Sequence, residues 1–289
     1  MDQRFPQIDI GKIKVTALSA GRVKMDGGAM FGIVPRSLWS KRITPDDRNR
    51  IDLQMWCLLV ETGDETVLIE TGFGGKVTER LRDIYDLREE RGLLNSLRQA
   101  GKEPKEIDRV VLTHLHQDHA GGTTVRKGRS FEPAFENARF VVQAGEWRDA
   151  CEADGQTVNA YRLEEVLLPL ERSGQVDLVD GDVDLGNGIR LIVTPGHTRA
   201  HQSVLIESDG ESLFYVGDLV PTSSHLKPIY VMAYDLYPRE TYFNKERFLE
   251  RAAAEGWWVT WPHDPEFVWG KIRPDERDGF IAVDMVSNR

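Results

Sequence analysis

Cysteine is scarce in these 289 residues: Cys57 and Cys151 are the only two, too few for a disulfide scaffold or a cysteine-rich zinc module. No apolar run approaches the length of a membrane span. The N-terminus, Met1-Asp2-Gln3-Arg4-Phe5-Pro6, lacks the charged-then-apolar layout of a secretory signal. Basic side chains are in the minority, 37 against 47 acidic ones, for a formal net charge of −10. That balance disfavours a nucleic-acid partner, which calls for a basic stripe, and an anionic membrane surface. No GxGxxG turn follows the first strand, which disfavours a dinucleotide-binding domain. No repeat, low-complexity tract or Pro/Gly/Ser-rich linker divides the chain. Together these absences predict a soluble, cytoplasmic protein with two reduced thiols and one continuous domain over residues 1–289.

What is present supports a sizeable core: hydrophobic residues are 40% of the chain, alongside 26 glycines. Runs rich in valine, isoleucine and leucine predict strands at 14–18, 55–61, 66–69, 109–113, 139–143, 190–194, 203–207, 212–216 and 257–261. Amphipathic spacing predicts helices between them. One region, 76–100, reads as two helices broken near Gly92; others are 145–153, 158–173 and 245–255, the last stopped by Gly256. This alternation predicts an α/β or α+β layered sandwich. The stretch Gly27–Pro35 is apolar and glycine-rich but not strand-like, and reads as a loop. It either lines a pocket for an acyl chain or forms a contact between two copies in a homodimer. Of the neighbouring Trp257 and Trp258, alternation across a strand sends one into the core.

The chemistry concentrates at 113–122, Thr-His-Leu-His-Gln-Asp-His-Ala-Gly-Gly. His114, His116, Asp118 and His119 follow an apolar run, so a strand end and loop can turn them into one cavity. Imidazole and carboxylate are ligands that a borderline divalent ion such as zinc accepts. Three further runs end in Pro195-Gly196-His197-Thr198, Gly217-Asp218 and Pro262-His263-Asp264. Each alone suits an ordinary turn residue. Together they make seven candidate ligands at strand ends, where layered α/β proteins usually build their sites.

The run His114-x-His116-x-Asp118-His119, with His197 in a Pro-Gly-His-Thr turn, Asp218 after Gly217, and His263, resembles the signature of the metallo-β-lactamase superfamily hydrolases. The matches run in order from about residue 14 to 264. The resemblance implies a four-layer αββα sandwich with a dinuclear site at one edge of the paired sheets. It implies that His114, His116 and His197 bind one ion, Asp118, His119 and His263 the other, and that Asp218 bridges them. Zinc is the first expectation; manganese, iron and cobalt accept the same ligands. A hydroxide held between the ions would be the nucleophile, without a serine or cysteine. Asp118 either serves only as a ligand or also orients that water and passes its proton to the leaving group.

Two departures from the family pattern stand out. The early turn reads Glu70-Thr71-Gly72 where Asp-Thr-Gly is usual. Glu70 then either orients a ligating histidine or merely caps the turn. The layout after the site is too short for the helical substrate domain of glyoxalase II and lacks the insertion of RNA-processing members. It looks most like the N-acyl homoserine lactonase and methyl parathion hydrolase branch. The stretches 217–222, 225–226 and 231–235 resemble a group of probable quorum-quenching lactonases. In that branch a tyrosine three positions after the bridging aspartate contacts the substrate carbonyl; here the position holds Pro221. His225, Tyr230 and Tyr234 are the candidates to replace it. His201 either supports the first ion's ligands, donates to the substrate, or makes a plain structural hydrogen bond. The function implied is opening of a lactone ring, with phosphotriester hydrolysis as the alternative and thioester hydrolysis third.

Overall fold

The computed structural model describes residues 5–88 and 92–287. Among these, the chain up to Val179 supplies β1 (Gln7–Ile10), β2 (Ile13–Asp26), β3 (Arg50–Glu61), β4 (Thr66–Ile69), β5 (Arg109–Val111), the hairpin β6 (Thr124–Lys127) and β7 (Ser130–Pro133), β8 (Arg139–Gln143) and β9 (Val176–Val179). The rest supplies β10 (Val183–Gly186), β11 (Ile189–Val193), β12 (Gln202–Ser208), β13 (Glu211–Tyr215), β14 (Trp258–Thr260), β15 (Phe267–Asp275) and β16 (Gly279–Ser287). Two seven-stranded sheets result, ordered β1-β2-β3-β4-β5-β8-β9 and β10 through β16 in sequence. Helices α1 (Gly27–Phe31), α2 (Arg36–Trp39), α3 (Glu79–Ile84), α4 (Leu93–Gln99), α5 (Gln117–Ala120), α6 (Ala144–Cys151), α7 (Leu168–Ser173) and α8 (Pro238–Glu255) fill the connections.

Period-two alternation decides the layering. In β3, Trp56, Leu58 and Val60 face the second sheet, where they meet Val204, Ile206, Leu213 and Tyr215. Met55, Cys57 and Leu59 face the other way, into a layer with Leu93, Leu97 and Leu170 of α4 and α7. In the second sheet, Leu205, Phe214 and Val259 turn outward onto Phe248, Leu249 and Ala252 of α8. Helices thus cover both outer faces of two packed sheets, the expected αββα order.

The nine predicted strands all occur, most within two residues of their expected ends, and β2 and β3 run longer. The strands the pattern missed include the edge segments β1, β9 and β10 and the hairpin β15–β16, whose exposed faces carry charges. The break in 76–100 falls where expected, with Gly92 as the N-cap of α4; residues 89–91 lie outside the described residues, as do 1–4 at the N-terminus. Gly256 caps α8 in the left-handed region at φ 69°.

Two local expectations are corrected. Residues 27–35 open with a helix rather than a loop: the Asp26 carboxylate accepts the Ala29 N–H at 2.8 Å and caps α1. The helix expected at 158–173 starts only at Leu163, with a single π-type turn running into α7. The Asp154 carboxylate accepts the backbone N–H groups of Gln156 and Thr157 and holds the preceding chain in turns instead. The two cysteines are unpaired, Cys57 buried and Cys151 exposed. No helix among the described residues is long and apolar enough to cross a membrane.

Candidate metal centre

β4 and β5 run parallel, as do β13 and β14, and β11 shares their sense through two antiparallel pairings with β12. Their C-terminal ends therefore open on one edge of the sandwich, and the seven candidate ligands sit there. Past β5, the Thr113 N–H donates to Glu70 Oε1 at 2.8 Å, and His116 is the N-cap residue of α5, which carries Asp118 and His119. Gly196 and Gly217 each precede a ligand with positive φ, 149° and 58°. A Cβ at Gly217 would lie 2.5 Å from the His201 ring, and one at Gly196 would strike Thr241 at 2.3 Å. Glycine is required at both turns.

The donor atoms converge in three overlapping groups: His114, His116 and His197; His114, His119 and Asp218; Asp118, His119 and His263. Within each group they lie within 4.8 Å of one another. The two carboxylate oxygens of Asp218 face opposite ways. Oδ2 is 3.2 Å from His197 Nε2, while Oδ1 is 3.4 Å from His119 Nε2 and 3.2 Å from His263 Nε2. His116 Nδ1 stands 3.0 Å from His197 Nε2, and His119 Nε2 stands 3.1 Å from His263 Nε2. Asp118 Oδ2 is farther out, 3.8 Å from both His119 and His263.

Partners behind the rings decide which nitrogen faces the cavity. The His197 Nδ1–H donates to Asp235 at 2.9 Å, and the His263 Nδ1–H to the Gln54 carbonyl at 3.0 Å. His119 Nδ1 is 3.3 Å from Glu70 Oε2, which makes no hydrogen bond among the described residues, so Glu70, whose own φ is 66°, faces that ring as a charge. Each of these rings then turns an Nε2 lone pair inward. His114 Nε2 and Asp218 Oδ1 are buried and find no hydrogen-bond partner among the described residues. Lone pair facing lone pair at about 3 Å is unfavourable unless a proton or a metal ion lies between. A tetrahedral ion bound at about 2.1 Å would set its donors about 3.4 Å apart, close to these separations. The residues present therefore fit divalent ions held by nitrogen and oxygen.

The electrostatics agree. Burial lowers the His114 and His116 rings well below the usual histidine range, with neighbouring histidines adding to the effect. Burial is the largest single influence on His119, His197 and His263 and disfavours their charge, but Asp218 together with Glu70 and Asp118 at His119, Asp235 at His197 and Asp118 at His263 raises all three. Asp218 itself is held well below the usual carboxylate range: burial pushes it up, and His119, His263 and His197 pull it down further.

A pocket of about 310 Å³ opens onto this cluster. Its lining includes the apolar Met25, Met30, Met232 and Leu236 and the polar Gln117, Gln156, Thr157 and Asn159. Tyr234 lies on its lining, as do His116, Asp118, His197, Asp218 and His263. His225 and Tyr230 do not, and substrate contact is withdrawn for both. His225 is fully buried under the pocket wall: its Nε2–H donates to the Met30 carbonyl at 2.9 Å, its Nδ1 accepts from Thr222 at 2.8 Å, and its ring stacks on Phe31. Tyr230 packs edge-on against Phe31, beneath Arg42. Donation from His201 to substrate is excluded too. Its Nε2 accepts the Asp218 N–H at 3.1 Å, so its Nδ1–H is spent on Thr194 at 2.8 Å. It braces Asp218, not the histidines of the first set.

Asp235 and Glu146 were missed as supporting groups. Asp235 orients His197, and Glu146 accepts hydrogen bonds behind both histidine-bearing loops. No spacing in the sequence ties either to its partner.

The family model described as the metallo-beta-lactamase superfamily matches residues 50–263. An N-acyl homoserine lactonase of a Bacillus species is 30% identical over 207 residues, 68% of this chain and 71% of that protein. The crystal structure of a probable metal-dependent hydrolase from Staphylococcus aureus superposes with a TM-score of 0.88 at 32% identity, covering 96% of this chain and all of that one. A dizinc quorum-quenching lactonase in complex with its product superposes with a TM-score of 0.79 over 98% of both chains; at 22% identity this likeness shows the fold alone.

Proposed function

The chain belongs to the metallo-β-lactamase superfamily and is a metal-dependent hydrolase; from that premise we propose that it opens the lactone ring of N-acyl homoserine lactones or closely similar esters, as one hydrolase domain over residues 1–289. The observation that carries this reading is the pocket on the donor cluster, whose lining combines methionines with carboxamides. An acyl chain suits the methionines and an amide the carboxamides.

His114, His116 and His197 would hold one ion, Asp118, His119 and His263 the other, and Asp218 would reach both through its two oxygens. Zinc suits this nitrogen and oxygen set best, with manganese, iron and cobalt also accepted. When bound, two divalent ions supply charge that polarises an ester carbonyl and lowers the pKa of a water to about 7.

The protein's own residues do the rest. Asp235 and the Gln54 carbonyl hold two rings in orientation, Glu70 faces a third, and His201 fixes the backbone of Asp218. The Asp118 carboxylate borders the pocket, with Oδ2 3.8 Å from His263 Nε2, placed to take a proton from the attacking water and hand it to the departing alkoxide. The Tyr234 hydroxyl, pushed up to about 12 by partial burial and by Tyr85, stays protonated at neutral pH and can donate to a substrate oxygen. Of the two tyrosines on the pocket lining, Tyr85 and Tyr234, it is the one the sequence offered for the role lost at Pro221.

The test is lactone hydrolysis followed by pH-stat, on protein confirmed to carry two ions per chain, with short- and long-chain acyl homoserine lactones. A kcat/KM above about 10⁴ M⁻¹s⁻¹ is expected. Negligible turnover by fully metallated protein would overturn the lactonase reading and turn attention to phosphotriesters and other esters.

A further inference from the structure

Glu146 is a carboxylate with no exposed surface, and the chemistry above does not use it. It projects from α6, beneath the loops that carry three of the histidines. Its Oε1 accepts the Leu115 N–H at 3.0 Å and the Tyr161 hydroxyl at 3.2 Å. Its Oε2 accepts the Thr198 hydroxyl at 2.6 Å. Leu115 lies between His114 and His116, and Thr198 follows His197. One side chain therefore clamps the backbone between two ligands of the first group to the residue beside its third. Burial pushes its carboxyl up, and the three donors pull it back.

The third partner extends the clamp. The Tyr161 ring lies 5.1 Å from that of His116. The neighbouring chain is fastened to the same loop, because the Gln117 N–H donates to the Ala160 carbonyl at 2.8 Å and Arg162 donates to the Gln117 carboxamide. The other half of the centre is held differently: Glu70 faces His119, its second oxygen accepting the Thr113 N–H beside His114, and the Gln54 carbonyl accepts from His263. None of the hydrogen bonds of Glu146 reaches Asp118, His119 or His263.

We propose that Glu146 is a positioning residue for the His114, His116 and His197 half of the centre alone, setting the spacing of those rings by tying Leu115 to Thr198. This rests on the dinuclear reading above. A buried carboxylate with three donors is costly to replace, because an apolar side chain would leave the Leu115 N–H buried and unpaired. Glutamine fits the same space but offers one accepting oxygen for donors on both sides.

The test reads metal binding, not turnover. Metal-free protein is titrated with cadmium and followed by cadmium NMR, one resonance per ion, with the resonances assigned through His116→Ala and His263→Ala. Glu146→Gln and Thr198→Val are expected to weaken the three-histidine half by about 10- to 100-fold. The Asp118, His119 and His263 half should move by less than about threefold. Thr198→Val keeps the carboxylate and nearly the same volume, so it carries the test if Glu146→Gln does not fold. Equal weakening of both halves, or no weakening of the first, overturns the proposal. Wild-type protein that binds a single ion would instead defeat the dinuclear reading beneath it.

Discussion

Asp235 Oδ1 lies 2.9 Å from Nδ1 of His197, a residue 38 positions earlier in the chain. The other oxygen of the same carboxylate accepts the Met232 N–H at 3.1 Å. One side chain thus fixes the orientation of a candidate ligand and the backbone of a residue that lines the pocket.

Asparagine at this position could satisfy only one of those two donors. Asp235→Asn is expected to lower kcat/KM by about 10- to 100-fold and to weaken metal retention in parallel. Steady-state kinetics alongside metal analysis checks this; wild-type values in both would mean that His197 is held by other contacts.

Acidity should govern metal uptake. His119, His197 and His263 are raised above the usual histidine range in the metal-free protein, burial being outweighed by Asp218 and the neighbouring carboxylates together. Raised values mean protons held near neutral pH, and an ion must displace them. Metal affinity is therefore expected to climb as pH rises through neutrality, with protons released on binding. For the metal-free fold the sign is opposite: the stability these charged rings contribute is full below about pH 6.5 and fades as pH rises through their raised values. Calorimetric titration in buffers of different ionisation heats counts the protons, and a count of zero would contradict the expectation.

His225 should make the fold sensitive to acid. Burial, reinforced by Lys245, pushes its ring down to about 3, so it is neutral when folded and binds a proton when unfolded. A lowered value gives stability that is present above about pH 6.5 and lost as pH falls toward the folded value, at about 1.4 kcal/mol per pH unit. His225→Gln removes that slope. Urea unfolding of metal-free wild-type and variant proteins between about pH 4.5 and 6 should show the variant losing less stability per pH unit. Parallel slopes would show that the ring takes up its proton without unfolding.

Some of this architecture was legible before any tertiary contact was known. The cluster from His114 to His119 is local, so its spacing survives in the sequence whatever the rest of the chain does. The central strands β4 and β8 were found with their ends in place because both their faces are apolar. The edge strands β1, β9 and β10 were missed because half-buried faces carry a weaker pattern. The helix expected before Leu163 failed for a local reason, an aspartate side chain that competes for backbone N–H groups.

The sequence by itself determined which residues can take part: the histidines and aspartates at strand ends, and the glycines that let the chain turn beside them. Only the tertiary structure decided how they act. It buried His225, which reads as a substrate contact from its loop position, and it left Tyr234 beside the pocket. It placed Glu146 against Thr198, 52 positions away, and turned the two oxygens of Asp218 to opposite sides. The reason is physical. A hydrogen bond between distant segments imposes no periodicity on either, and whether a polar side chain meets water or a partner depends on what packs over it.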